Sequence, residues 1–392
     1  MPYNVRGVSS GLRYPVPSVV YFHGQMMRLL FWLSFALISY AYAGYPLLLS
    51  LAGRKRPVRK QYATPSVSLL IAARNEQSNI AAKLQSIQTF QYPAAQLQVI
   101  VVSDGSTDGT ADLLLNAGTC VRPVILEHAV GKAEALNRGV AHATGDILVF
   151  SDARQTFDPE AVQELVSCFA DPLVGAASGE LMLETADGQP SSDGLGVYWK
   201  IEKMTRKLES ETGSVVGVTG AIYAMRRHLF VPVPPGLLLD DVLIPMQVAR
   251  SGHRVIFHPG AIARDRIFGE TGKEFSRKVR TLTGNYQLLR LAPWLLSPTN
   301  PLLFRLISHK LLRLVVPLLL VLLLLSSALA SGTFFKAVFV AQIFFYAIAL
   351  VGYLAPAARE QRAVSVAYTF TMLNVAAAFA FYNFLGGRTR WA

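Results

Sequence analysis

An α/β protein with a mostly parallel central sheet, carried on membrane helices, is what this 392-residue sequence predicts. Two observations lead there. Through the middle of the chain, short apolar runs alternate with helical patterns opened by turn or capping residues, as in parallel strands joined by right-handed crossovers. Four windows, 29–53, 314–335, 337–358 and 363–387, hold no Asp, Glu, Lys or Arg, and each has the roughly 20 residues that span a bilayer core. The deficit of charge is general, with 52% hydrophobic and 16% charged residues, which is lean for a soluble protein.

The elements follow in order. An N-terminal segment, 1–28, precedes the first membrane helix, 29–53. Arg28, the apolar run and Ala41-Tyr42-Ala43 also have the layout of a cleavable signal peptide, but the run continues through YPLLLSLAG, as in an uncleaved anchor. A basic linker, 54–65, contains RKRPVRK. The domain at 66–291 opens with the strand VSLLIA and a helix from Gln77, then QVIVVS, the loop DGSTDGT and a helix from Thr110. A third unit runs from RPVIL into GKAEALNRGVAHA, and a fourth is ILVFS with a helix from Pro159. Beyond Gly175 come an amphipathic stretch over 193–212, GVTGAIYAMRR, DDVLIPMQVARSG, the strand RVIFHP and a basic helix over 277–290. An interfacial segment, 292–313, leads to membrane helices at 314–335, 337–358 and 363–387.

The basic residues RKRPVRK, Arg305, Lys310, Arg313, Arg359 and Arg362 all flank helix ends on one side of the membrane, which places 66–291 in the cytoplasm of a bacterial inner-membrane protein; Arg6, Arg13, Arg388 and Arg390 pull the other way. The net charge of +12 clusters beside the spans, as suits lipid headgroups and a phosphorylated substrate, and no nucleic-acid module accompanies it. Cys120 and Cys168 have neither metal-site nor disulfide spacing and read as core residues in a reducing cytosol.

Three polar segments, AARNE, SDGSTDG and SDAR, stand at strand ends, where open parallel sheets bind ligands. Asp104 is either part of an ordinary turn or an acceptor for base and ribose hydrogen bonds. GKAEALN is not a Walker loop, because Leu126 stands where the first glycine belongs. Lys132 remains, on the surface or helping a helix N-terminus to hold a diphosphate. Asp152 caps a helix or binds Mg²⁺ or Mn²⁺ together with phosphate oxygens. Of the adjacent Asp240 and Asp241, one caps a helix and the other is free to act as a base. Arg277 and Arg280, one turn apart, form a phosphate fork or an interfacial stripe.

Taken in order, these segments resemble the family two inverting glycosyltransferases, specifically the membrane-embedded group with the cellulose, chitin, hyaluronan and poly-N-acetylglucosamine synthases, over about residues 66–291. The resemblance implies a GT-A (Rossmann-like) domain that takes a nucleotide-sugar donor and a glycan or lipid-linked acceptor, depends on Mg²⁺ or Mn²⁺, and works with subunits of an export system. It implies a donor pocket containing Ala72, Arg74, Glu76, Asp104 and Lys132, with Asp104 reading uracil. Arg277 and Arg280 would add cations. Asp152 is implied as metal ligand, Thr219, Gly220 and Asp240 at the acceptor, and Asp241 as catalytic base. Two departures stand out. The usual Asp-x-Asp reads Asp152-Ala153-Arg154, and the Gln-x-x-Arg-Trp of processive synthases reads Arg277-Lys278-Val279-Arg280-Thr281. Alternation along an extended chain sets Arg154 on the face of Asp152, toward the donor's phosphates or sugar.

Overall fold

The computed structural model describes residues 17–118, 120–184, 195–266 and 271–387. Eight strands form one sheet: β1 (Val67–Ala73), β2 (Leu97–Asp104), β3 (Val121–Leu126), β4 (Ile147–Asp152), β5 (Thr156–Phe157), β6 (Val174–Glu184), β7 (Ile222–Arg226) and β8 (Arg254–Arg266), in the order β3-β2-β1-β4-β7-β6-β8-β5. β1, β2, β3 and β4 are mutually parallel, and β6 pairs parallel with β8. β7 enters antiparallel between β4 and β6.

The strand order reverses beside β1, which has β2 on one side and β4 on the other. That reversal opens a crevice at the carboxyl ends of the strands. Register sets what lines it: Ala72 pairs with Asp152, and Ala73 with Ser103. Because β7 runs the other way, its amino end and the preceding Thr219-Gly220 reach the same rim.

Apolar side chains fill both faces of the sheet. Leu70, Ile100, Leu148, Phe150 and Tyr223 belong to one core cluster, and Leu69, Ile71, Val101, Val149 and Ile222 to the other. This two-sided burial explains why the strands read as continuous apolar runs.

Among the described residues, four helices are long and apolar enough to cross a membrane: Gly24–Leu51, Leu303–Leu329, Thr333–Leu354 and Arg362–Leu385. Their boundaries correct the charge-free windows. The second begins at Leu303 rather than 314, taking in Arg305, Lys310 and Arg313, which turn toward the domain instead of breaking the helix. The first and second each carry a π-helical turn, Tyr40–Gly44 and Ile307–Leu311, which meet where the Tyr40 hydroxyl lies 2.9 Å from Ser308 Oγ.

The turn into β4 is tight. A Cβ on Gly145 would stand 2.5 Å from the Ser68 nitrogen and the Val67 carbonyl carbon, both backbone atoms of β1. Overpacking of this kind costs about 1–3 kcal/mol or more. Gly145→Ala is therefore expected to lower the thermal unfolding midpoint of the purified protein by several degrees, and an unchanged midpoint would show that β1 has room to yield.

Candidate active site

The rim of the crevice is knitted from two loops. Asn75, the only non-glycine with positive φ (55°) among the described residues, follows β1. Its Oδ1 accepts from the Thr107 N–H at 2.8 Å, and its own N–H donates to Ser106 Oγ at 3.2 Å. The Glu76 N–H donates to Thr110 Oγ1 at 2.9 Å and the Gln77 N–H to Asp108 Oδ2 at 3.1 Å. AARNE and DGSTDGT are thus one structure. Arg74 is exposed, Ala72 and Glu76 are half-buried, and Glu76 Oε2 accepts from Asn79 Nδ2 at 2.6 Å.

Asp104 is buried at the end of β2. Its Oδ1 accepts from the Val130 N–H at 2.7 Å and its Oδ2 from the Gly131 N–H at 3.0 Å. Gly131, at φ 90°, has the left-handed backbone that lets the loop turn into the helix Lys132–Ala141. The carboxylate therefore pins the loop that delivers Lys132, and each oxygen keeps a lone pair for a ligand.

Three carboxylates gather around that lysine. Lys132 Nζ lies 2.8 Å from Asp152 Oδ1 and 3.7 Å from Asp240 Oδ2. Asp240 and Asp241 open the helix Asp240–Arg250, where the dipole favours negative charge. Asp240 is buried, and its Oδ2 has no hydrogen-bond partner. Burial opposes the Lys132 ammonium, but the charges of Asp152, Asp240 and Asp241 outweigh it and hold the pKa above the ordinary lysine value. Burial, then the neighbouring Asp240, pushes Asp241 up to about 6, while Lys132 and Lys310 pull it down.

The acceptor-side loop packs directly on Asp241. The Val218 N–H donates to the Asp241 carbonyl at 2.9 Å, and a Cβ on Gly220 would stand 3.5 Å from Asp241 Oδ2. A side chain at 220 would thus lie in van der Waals contact with that carboxylate. Thr219 is held structurally: its hydroxyl donates to the Gly179 carbonyl at 2.9 Å and accepts from Arg206 Nη1 at 2.9 Å.

A divalent metal fits this donor set. Asp152 and the unpartnered Asp240 Oδ2 are hard oxygen donors on one cleft. No group of three His, Cys, Asp or Glu residues forms a metal cage among the described residues. The ion would therefore complete its shell with phosphate oxygens and water, the habit of Mg²⁺ and Mn²⁺.

Arg154 requires a correction. Its guanidinium is engaged within the protein, forking onto the buried Asp265 of β8, Nε to Oδ1 at 2.9 Å and Nη2 to Oδ2 at 2.5 Å, with Gln155 Nε2 also donating to Oδ2 at 2.9 Å. The alternation argument assumed an extended chain, and β4 ends at Asp152. Arg277 and Arg280 are exposed on the helix Thr271–Leu291, which reaches the site through Gly284, packed against Leu238 and Leu239 just before Asp240.

Several contributors were not read from the sequence. Lys83 is fully buried behind the metal-side turn, donating to Ser151 Oγ and the Gln155 carbonyl, each at 2.6 Å, over the Phe157 ring. Burial lowers its pKa to about 7, against the pull of Asp152. A signal existed, since Lys83 interrupts the apolar stripe of Ile80, Leu84 and Ile87. Arg206, Tyr223 and Lys310 carried none. A separate cavity of about 700 Å³, lined by Arg59, Asp146 and Arg227 among others, lies at the amino ends of β1 and β4. Its one carboxylate, Asp146, is no part of the cluster around Lys132.

The Arg154–Asp265 fork is partly exposed on the arginine side, so its worth is about 1–3 kcal/mol. Arg154→Ala and Asp265→Ala should each lower the unfolding midpoint, and the double variant should lose less than the sum. Additive losses would remove the pair from the account.

Residues 68–231 match the family model described as Glycosyl transferase family 2. The poly-beta-1,6-N-acetyl-D-glucosamine synthase of Staphylococcus aureus is 23% identical over 229 residues, 57% of this chain and 55% of that protein. The Bacillus subtilis protein named "Probable glycosyltransferase YdaM" is 28% identical over 237 residues, 56% of this chain and 55% of its own. The chain thus spans little more than half the length of these curated relatives. Among solved structures, a mannosyltransferase from Pyrobaculum calidifontis, in complex with GDP-Man and Mn²⁺, superimposes with a TM-score of 0.68 at 23% identity, covering 91% of this chain and 99% of that one. Asp104, Lys132, Asp152 and the Thr219-Gly220 loop lie within the residues that match the Glycosyl transferase family 2 model, Asp240 and Asp241 lie just beyond them, and the fold that carries them is of the GT-A type.

Proposed function

We propose that this chain is a membrane-bound inverting glycosyltransferase that moves a sugar from a nucleotide-sugar donor, a UDP-sugar, to a glycan or lipid-linked acceptor in bacterial exopolysaccharide assembly. One observation carries the reading. Asp152, Asp240 and Asp241 converge on Lys132 at the carboxyl ends of the strands, and Asp241 opens onto the Gly220 loop. The similarity to the Staphylococcus aureus synthase supports the pathway.

The residues divide the work. Asp241 takes the proton of the acceptor hydroxyl, and a pKa raised to about 6 lets it do so near neutrality while still ionised. Lys132 and the free N–H groups of its helix stabilise the leaving diphosphate. Asp152, with Asp240 beside it, would hold Mg²⁺ or Mn²⁺, which supplies Lewis-acid neutralisation of the diphosphate charge. Arg277 and Arg280 add cations from the membrane side. Asp104, Ala72, Arg74 and Glu76 bound the nucleoside end. Attack from the face opposite the leaving group inverts the anomeric centre.

Four long apolar helices anchor the enzyme, and the basic flanks put the domain on the cytoplasmic face. Export subunits are partners that such a pathway would require. Transfer of a single sugar to a lipid carrier is favoured over chain extension by one feature: Thr281, not an aromatic residue, follows Arg280.

Purified protein incubated with UDP-N-acetylglucosamine, UDP-glucose or GDP-mannose and Mn²⁺ should release a nucleoside diphosphate, fastest with a UDP-sugar. Tight binding with no turnover would mark a nucleotide-sugar-binding subunit instead. Asp241→Asn should cut transfer by about 100-fold or more. Because the base works only when ionised, wild-type kcat/KM should rise with pH through about 6 and level above it. A profile flat from pH 5 to 8 would exclude Asp241 as the base.

A further inference from the structure

Resting on the transfer reading above, we propose that Lys83 is a positioning residue that registers the metal-side turn to the nucleoside loop, and so fixes where Asp152 meets the donor's diphosphate. The turn runs from the end of β4 to the start of β5, and Lys83 clips it from beneath. Its Nζ donates to Ser151 Oγ and to the Gln155 carbonyl, each at 2.6 Å. Those two residues bracket Asp152, Ala153 and Arg154. The ammonium also lies over the Phe157 ring, 4.3 Å from its centroid. Ser151, Ala153 and Gln155 are all buried, so water does not compete for these bonds.

Packing alone does not account for a lysine here. The side chain is buried, and both of its hydrogen bonds go to neutral oxygens; among the described residues no carboxylate stands within ion-pair distance of it. A buried ammonium without such a partner is costly. An apolar residue would complete the stripe of Ile80, Leu84 and Ile87 at less expense. What an apolar side chain cannot supply is two donors aimed at the two ends of one turn.

The helix that carries Lys83, Gln77–Gln88, starts at the nucleoside loop. Its entry is tied there by the Glu76 N–H on Thr110 Oγ1, the Gln77 N–H on Asp108 Oδ2, and the Gly109 N–H on Gln77 Oε1 at 3.0 Å. Lys83 follows Gln77 by about 9 Å along the helix axis. One short helix therefore links the loop after Asp104 to the turn after Asp152. On the other side of that turn, Arg154 and Gln155 both reach Asp265. Held from two sides, the turn presents Asp152 at a set place. The motif needs that precision, because Asp152 has no second acid in the same stretch to hold Mg²⁺ or Mn²⁺ with it.

The test uses the full chain in detergent, with UDP as the probe. UDP affinity is measured by calorimetry with and without Mn²⁺, and UDP release from a UDP-sugar is followed against Mn²⁺ concentration. Lys83→Met should raise the Mn²⁺ concentration for half-maximal rate by about 10–100-fold, the usual worth of a group that orients a metal ligand. It should also remove most of the gain in UDP affinity that Mn²⁺ gives, while metal-free UDP affinity and kcat at saturating Mn²⁺ stay near wild type. Ser151→Ala, which takes away one of the two bonds and leaves the lysine, should shift the same quantities the same way by less. Gly145→Ala, strained at the other end of β4, should leave them unchanged. Mn²⁺ dependence that is unchanged in both Lys83→Met and Ser151→Ala, or shifted as far in Gly145→Ala, would overturn the assignment. Should Lys83→Met not fold, Ser151→Ala decides alone. A wild type whose UDP affinity ignores Mn²⁺ would instead sink the metal-assisted transfer reading, and this assignment with it.

Discussion

Three carboxylates share this cleft only because an ammonium stands among them. Without Lys132, Asp152, Asp240 and Asp241 would repel one another in partly desolvated surroundings, and burial alone would drive protons onto them. The cation must arrive at a fixed place, and much of the domain serves that end. Asp104 ties down the loop before Lys132, Gly131 supplies the left-handed turn, and the Ala133, Ala135 and Leu136 side chains lock the helix onto the sheet. On the other side, Lys83 braces the turn that follows Asp152. The same electrostatic balance bears on the chemistry, because burial and Asp240 push Asp241 up while Lys132 pulls it back down.

A second ionic assembly fastens the domain to its helices. Glu202 and Glu209, seven residues apart, stand on one face of the helix Leu195–Thr212, with Arg206 one turn from each. Opposite them the π-turn Ile307–Leu311 presents His309, 3.0 Å from each glutamate, and Arg305 reaches past to the carbonyls of Glu209 and Ser214 at 2.5 and 2.8 Å. Buried ion pairs are weak evidence for stability, since desolvation offsets most of the attraction, but removing one partner is costly. Their effect here is to fix orientation. Arg206 hands that orientation on to Thr219, and so to the loop facing Asp241.

The legible parts of the sequence were those where one local pattern settles one local structure. Strands buried on both faces show as apolar runs, so Asp104 and Asp152 could be placed at strand ends, and the fold brings Asp152, Asp240, Asp241 and Lys132 together. The second helix was misread for a physical reason: charge-free counting assumes that charges mark helix ends, whereas Arg305, Lys310 and Arg313 are satisfied by another part of the chain. The antiparallel entry of β7 was equally hidden, because IYAMR looks like any other short strand. Asp265 was out of reach altogether, being paired with a residue 111 positions away that only the folded sheet brings near.

Arg154 shows how such a distant contact changes the meaning of a motif. A strand-end metal site commonly draws two acids from one short stretch, and here the second position is basic. The fold moves the second acid elsewhere: Asp240, 88 positions after Asp152, brings an unpartnered carboxylate oxygen to the same lysine. With that oxygen in place, a second acid at 154 would crowd a cleft that already holds three negative groups around one cation. An arginine there does different work. It neutralises the buried Asp265 on β8, which would otherwise stand as an uncompensated carboxylate inside the domain. The basic residue in the motif therefore follows from the acids around it rather than breaking the pattern they form.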